Sequence, residues 1–405
     1  MDWGLEAERR LTEIAACSEP TEGVTRLPFT PDHAAANAVI GDWMDQAGLA
    51  VHLDAAGTLV GRKAGPAGTP SLLMGSHQDS VRNGGRYDGI MGVVLPCLAL
   101  QKLAYEGVDL PYSVEVLAFA DEEGVRFPTA LVGSRALAGT VNPAVFDMTD
   151  RDGIRMGDAL DAFGGDAAGV ARIVRDPARI LGFLETHIEQ GPVLEREDLP
   201  VGIVTGICGI ERNAVRFTGE TGHAGTVPMQ GRKDALVAAG RFISAIHDAA
   251  GQTAELRATV GSMALHPDAV NAIPDRVDLT LEIRAPEDAA RAAFAARARA
   301  EGERIASDAG LGFAMDRTYE QDAVPCSPML REALAEAARS HTGNALLLPS
   351  GATHDASALS DLCPVGMLFV RCRDGKSHSP AEFASAADMG VAIEVLADCL
   401  RGLVP

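Results

Sequence analysis

Two short runs of this chain hold residue types that could do metal chemistry. Residues 74–91 read M-G-S-H-Q-D-S-V-R-N-G-G-R-Y-D-G-I-M, and residues 119–127 read F-A-D-E-E-G-V-R-F. The first run offers His77, Asp79 and Asp88; the second offers the adjacent acids Glu122 and Glu123. Each follows directly on an apolar stretch and reads as the turn at a strand's carboxyl end. In an open α/β sheet such turns converge on one crevice. A His/Asp/Glu set arriving there from two strands is the ligand inventory of a catalytic divalent cation. Taken singly, His77 is more simply a satisfied histidine at a strand end, and Asp-Glu-Glu a solvated turn. Together they outweigh that reading, because a structural turn needs neither His-X-Asp nor a second acid pair after the next strand.

The elements that must position these residues follow from periodicity and turn chemistry. Residues 4–16 and 31–49 have helical spacing, the latter opened by Thr30-Pro31-Asp32. Residues 71–76 and 112–120 are β-rich, the stretch 92–105 between them reads as a buried helix, and 181–187 is another strand. Strand–helix–strand order predicts an α/β fold with a mainly parallel sheet and helices on both faces. Near Val201 the character changes. Alternating N-A-V-R-F-T-G, a helix near 233–249, alternating residues 255–264 and 277–284, and an Ala/Arg-rich helix over 286–308 describe a compact α+β unit. The first pattern resumes after Gln321 with a helix at 328–340, a strand at 365–372 and a helix at 386–402. The expected parse is residues 1–207 plus 322–405 as one domain, interrupted by an inserted domain at 208–321.

Bulk properties narrow the function classes. A chain of 405 residues, 47% apolar, with 43 Gly and 22 Pro suits a two-domain, turn-rich α/β protein. A formal charge of -21 argues against nucleic acid as a partner, since phosphate binding needs a basic surface. No h-region opens the sequence and no run of 18 apolar residues occurs, so neither secretion nor a membrane partner is expected. The 7 cysteines form no C-x-x-C pair, which points away from a disulfide framework or thiolate site and toward the cytoplasm. Cys97 and Cys399 are expected to pack as small hydrophobes.

G-S-H-Q-D-S, Y-D-G-I-M-G-V and D-E-E-G-V-R-F, followed by T-H-I-E-Q-G-P, G-H-A-G-T-V-P-M and S-G-A-T-H-D-A, run in order between about Thr25 and Ala384. This series resembles the hydantoinase/carbamoylase branch of the M20 metallopeptidase-like amidohydrolases: N-carbamoyl-L-amino-acid hydrolases, β-ureidopropionases and allantoate amidohydrolases. The resemblance implies a metal-binding catalytic domain and an inserted lid domain that also forms a homodimer interface. It implies two divalent cations (zinc, manganese, cobalt or nickel), with His77, Asp88 and His187 holding the first and Asp88, Glu123 and His378 the second. Asp79 is then expected to hold the remote ring nitrogen of His77, and Glu122 to act as general base.

For substrate, the resemblance implies that His223 stabilises the scissile carbonyl, that Asn271 and Arg284 bind a carboxylate, and that Gln190 meets the carbamoyl or amide group. His354 falls in the family's substrate loop, where Thr353 departs from a common Gly and leaves the exact substrate open. The expected reaction is hydrolysis of a small carboxylate-bearing ureido or amide compound, with an N-carbamoyl-L-amino acid placed first. Allantoate or an N-acyl amino acid is the alternative. A dipeptidase is disfavoured by H-I-E-Q-G-P and by His187, and a non-catalytic binder by the completeness of the ligand set.

Overall fold

The computed structural model describes residues 1–404. The chain divides into two compact units: Met1–Thr205 with Cys326–Leu348 and everything from Thr353 onward, and Gly206–Pro325 with Pro349–Ala352.

The first unit is built on four adjacent parallel strands, in the order Ser113–Phe119, Ser71–His77, Ile180–Ile188, Val365–Val370. Every residue of Ser71–His77 and Ser113–Phe119 is buried. Strands covered on both faces carry continuous apolar runs rather than alternation. One core cluster joins Leu72, Met74, Val114 and Val116 to the helices Met91–Tyr105 and Ala386–Gly402. Truncating Leu72 to Ala there costs about 2–5 kcal/mol. Antiparallel strands flank the parallel set: Leu59–Lys63 with Ala50–Leu53 beyond it on one side, and residues 201–203 on the other. These short edge strands have no counterpart in the sequence reading. The helix Pro31–Gln46 opens as its sequence suggests, with the Thr30 hydroxyl accepting the His33 N–H. Cys97 and Cys399 are buried, and burial pushes both thiols up to about 12.

The second unit is an antiparallel sheet, ordered Met263–His266, Arg276–Ala285, Gly209–Thr218, Gly312–Gln321. Along Arg276–Ala285 burial alternates residue by residue. The buried set, Val277, Leu279, Leu281 and Ile283, packs with Phe242 and Phe294 of the helices Ala235–Gly251 and Asp288–Ala309. The alternation over 255–264 resolves into two strands, Arg257–Thr259 and Met263–His266, both paired to Arg276–Ala285. Gly261 stands in the break, where a strand gains nothing from a residue without a side chain. Among the described residues, no helix is long and apolar enough to cross a membrane.

Candidate metal centre

The parallel pairing brings strand ends together. His77 stands opposite Phe119, and His187 opposite Phe369. The segments leaving these strands carry Asp88, Glu122, Glu123 and His378. Gly89 (φ +66°) lies flat on the His77 imidazole: a Cβ there would sit 2.3 Å from Cε1 of the ring. Only glycine lets the Asp88 turn approach so closely.

Three imidazoles converge on the two oxygens of Asp88. His77 Nε2 lies 3.6 Å and His187 Nε2 3.1 Å from Oδ1, whereas His378 Nε2 lies 3.2 Å from Oδ2. The Nδ1 atoms of His77 and His187 each stand 2.9 Å from a main-chain carbonyl oxygen, of Asp79 and Ile188 respectively. A carbonyl can only accept, so in the neutral rings Nδ1 carries the proton and Nε2 turns a lone pair toward Asp88. Lone pairs facing a carboxylate are held together by a cation between them. Glu123 Oε1, 3.9 Å from His378 Nε2, is buried with no hydrogen-bond partner among the described residues.

The donor atoms of His77, Asp88 and His187, of His77, Glu122 and Glu123, and of Asp88, Glu123 and His378 each fall within 4.8 Å of one another. Imidazole and carboxylate donors so arranged fit a divalent cation.

The charge balance agrees. Burial pushes the Glu122 carboxyl well above its ordinary range and that of Glu123 up to about 7, in each case against the pull of His77. The hydrogen bond to Asp88 raises His378 to about 9. Burial opposes a charged His77, but Asp88 and the neighbouring acids more than offset it. Burial thus opposes negative charge on these acids, and the positive charge of a bound cation would offset that penalty.

Glu122 and Glu123 diverge from one turn. Their N–H groups donate to Asp79 Oδ1 and Oδ2, at 3.1 and 3.2 Å. Glu122 then reaches within 3.9 Å of His77 Nε2, while Glu123 faces His378. The Asp79 carboxylate stands 3.8 Å from His77 Nδ1, beyond hydrogen-bond reach. The nearer partner of His77 Nδ1 is the Asp79 main-chain carbonyl oxygen, at 2.9 Å.

Gln190, in the left-handed region at φ +56°, donates from Nε2 to Asp88 Oδ2 at 2.9 Å. His354 is 1% exposed and meets the His187 ring edge-on at 4.5 Å between centroids. Burial lowers its pKa well below the ordinary imidazole value, which keeps the ring neutral. Glu185 was not anticipated: Oε1 accepts the Ser76 hydroxyl at 2.7 Å and Oε2 the Ala356 N–H at 2.8 Å. An acid two residues before His187, in a strand buried from Gly182 onward, was the available signal.

The remaining anticipated residues lie in the second unit. Ala272 pairs with His223, and the Ala224 N–H donates to the Asn271 carbonyl at 2.9 Å, so His223 and Asn271 are neighbours. The Gly225 N–H donates to His223 Nδ1 at 3.1 Å, which leaves Nε2–H of an exposed neutral ring as a donor. Arg284 is held apart from them, donating through Nε to Glu282 at 2.8 Å and through Nη1 to the Gly351 carbonyl at 2.6 Å.

A parallel sheet with histidines and carboxylates gathered at its strand ends is the architecture of metal-dependent hydrolases. Residues 73–402 match the model of Peptidase family M20/M25/M40, and the chain belongs to that family. It is 39% identical over 398 residues to the N-carbamoyl-L-amino acid amidohydrolase of Geobacillus stearothermophilus, covering 97% of each chain. It is 37% identical to the allantoate deiminase of Arabidopsis thaliana, covering 96% of this chain and 80% of that one. An amidase of the hydantoinase/carbamoylase family from Burkholderia multivorans, solved by crystallography, superposes with a TM-score of 0.90. The two are 34% identical, with 98% and 97% of the chains covered.

Proposed function

We propose that this protein is a binuclear-metal amidohydrolase that cleaves an N-carbamoyl-L-amino acid to the amino acid, carbon dioxide and ammonia. The observation that carries it is Asp88, one oxygen facing His77 and His187 and the other facing His378 beside Glu123. Near-full-length similarity to a curated N-carbamoyl-L-amino acid amidohydrolase supports the substrate class. Allantoate is the second reading, favoured by the similarity to a plant allantoate deiminase.

Two divalent cations, of zinc, manganese, cobalt or nickel, would be held by His77, Asp88 and His187 and by Asp88, Glu123 and His378. When bound, they supply an acidified water and a Lewis acid for the carbonyl. Glu122 is the proton carrier: its carboxylate takes the proton of the attacking water and returns it to the leaving nitrogen. Its burial suits it, since desolvation raises the carboxyl's affinity for the proton it must take up.

His223 offers Nε2–H to the oxygen that gains charge as the carbonyl is attacked. Arg284 and Asn271 are assigned to the substrate carboxylate, Gln190 to the carbamoyl group and His354 to the substrate loop. The second unit serves in this reading as lid and as homodimerisation surface. A cytoplasmic setting is in keeping with seven cysteines that stand as free thiols.

The test is a substrate panel on metal-reconstituted protein, with ammonia detected from the carbamoyl and ureido compounds and free amino acid from the N-acyl amino acids. It sets N-carbamoyl amino acids of both hands against allantoate, N-carbamoyl-β-alanine and N-acyl amino acids. N-carbamoyl-L-amino acids should give the highest kcat/KM; a preference of tenfold or more for allantoate would move the assignment to the second reading.

A further inference from the structure

The segment after His378 brings a buried acid back to the centre. Glu382 is 3% exposed. Its Oε1 accepts the main-chain N–H groups of Tyr87 and Asp88, each at 3.0 Å. Its Oε2 accepts the Ser377 hydroxyl at 2.8 Å. The same hydroxyl oxygen stands 3.1 Å from Asp88 Oδ2 and receives the Gln190 Nε2–H at 3.3 Å. Gly85 completes the cradle, since a Cβ there would meet Glu382 Oε1 at 2.1 Å. One buried carboxylate therefore ties the turn bearing Asp88 to the segment bearing His378. It grips Asp88 by its main chain and, through Ser377, borders the oxygen that faces His378.

We propose that Glu382 is a positioning residue for the second cation, setting Oδ2 of Asp88 against His378 through the Asp88 main chain and Ser377. The inference rests on the binuclear reading and adds to it a residue that touches neither metal nor substrate. The contacts predict selectivity. Among the described residues, no hydrogen bond joins Glu382 to His77 or His187, and through Ser377 it borders Oδ2 of Asp88 rather than Oδ1. Outer partners of metal ligands typically change metal affinity by about 10–100-fold, and here the change should fall on one site of two.

The experiment is a calorimetric titration of chelator-stripped protein with manganese, with bound metal counted by elemental analysis. Wild type is compared with Glu382→Ala, Glu382→Gln and Ser377→Ala, and His378→Ala marks the isotherm of the first site alone. Glu382→Ala should weaken the second site by about tenfold or more and leave the first within about threefold. Glu382→Gln should recover the second site to within about fivefold. Its amide oxygen still accepts both N–H groups, and its NH2 can donate to Ser377, freeing that hydroxyl for Asp88.

Equal weakening of both sites, or an unchanged second site, would overturn the proposal. Should Glu382→Ala fail to fold, Ser377→Ala carries the decision: it must weaken the second site alone, and an unchanged second site overturns the proposal. Wild type taking up a single equivalent would contradict the binuclear reading itself, and the role of Glu382 would fall with it.

Discussion

His77 is oriented by the main-chain carbonyl of Asp79, 2.9 Å from Nδ1, while the Asp79 carboxylate turns away to the N–H groups of Glu122 and Glu123. The side chain two residues from His77 thus meets the Glu122–Glu123 turn rather than the imidazole. Asp79→Asn should therefore retain metal affinity within about tenfold and lower kcat by tenfold or more. The two N–H groups reach different oxygens of Asp79, so an amide in its place sets an NH2 against one of them, and hydrogen bonds to a charged acceptor are worth about 1.5–3 kcal/mol. Metal analysis beside steady-state kinetics checks this; loss of metal with kcat per bound metal intact would return the orienting role to the carboxylate.

Glu122→Gln should keep both metals and lower kcat by at least about a hundredfold, the usual worth of general acid–base catalysis. Elemental analysis and single-turnover kinetics separate the two effects. A variant that loses metal yet keeps turnover per bound metal would exchange the roles of Glu122 and Glu123.

His33 gives a pH dependence away from the metal centre. It is fully buried, its Nδ1 accepts the Phe29 N–H at 2.9 Å, and burial followed by the Arg26 charge lowers its pKa to about 3. The unfolded chain takes up this proton near the ordinary value of 6.5, before the folded one does. Stability from the neutral ring is thus fully present above about 6.5 and is lost progressively as pH falls toward 3. Urea unfolding at pH 7.5 and 5.5 should show His33→Gln losing about 1 kcal/mol less than wild type between the two pH values. Equal losses would mean that the His33 pocket admits water or a proton.

Arg284→Lys should raise KM and lower kcat, because a point charge cannot reproduce a fork that also reaches Glu282 and the Gly351 carbonyl. Kinetics on the best substrate decide it. A change in kcat/KM below about fivefold would make Arg284 a rim charge worth at most about 1 kcal/mol.

The legible part of the site was the part written in side chains at strand ends. His77, Asp79, Asp88, Glu122 and Glu123 could be picked out because they lie in two turns that follow apolar runs, and parallel strands align their carboxyl ends; His187 and His378 were picked out by the family motifs around them. The roles of Asp79 and Glu382 were not legible, because they turn on which main-chain N–H or carbonyl a group meets, which residue type does not encode. Glu382 reaches back 294 residues to Asp88, a pairing no local pattern carries. In the fold, long buried strands and the amphipathic helix Ala235–Gly251 announced themselves, whereas Ala50–Leu53 and Leu59–Lys63 are too short for alternation to stand out.

The most direct measurement is ammonia release from an N-carbamoyl-L-amino acid by protein stripped with a chelator and then titrated with manganese, cobalt or zinc. The account predicts no detectable hydrolysis in the stripped protein and recovery that saturates at two equivalents of metal. Asp88→Ala should show neither hydrolysis nor recovery on adding metal. Full activity in thoroughly stripped protein would contradict it.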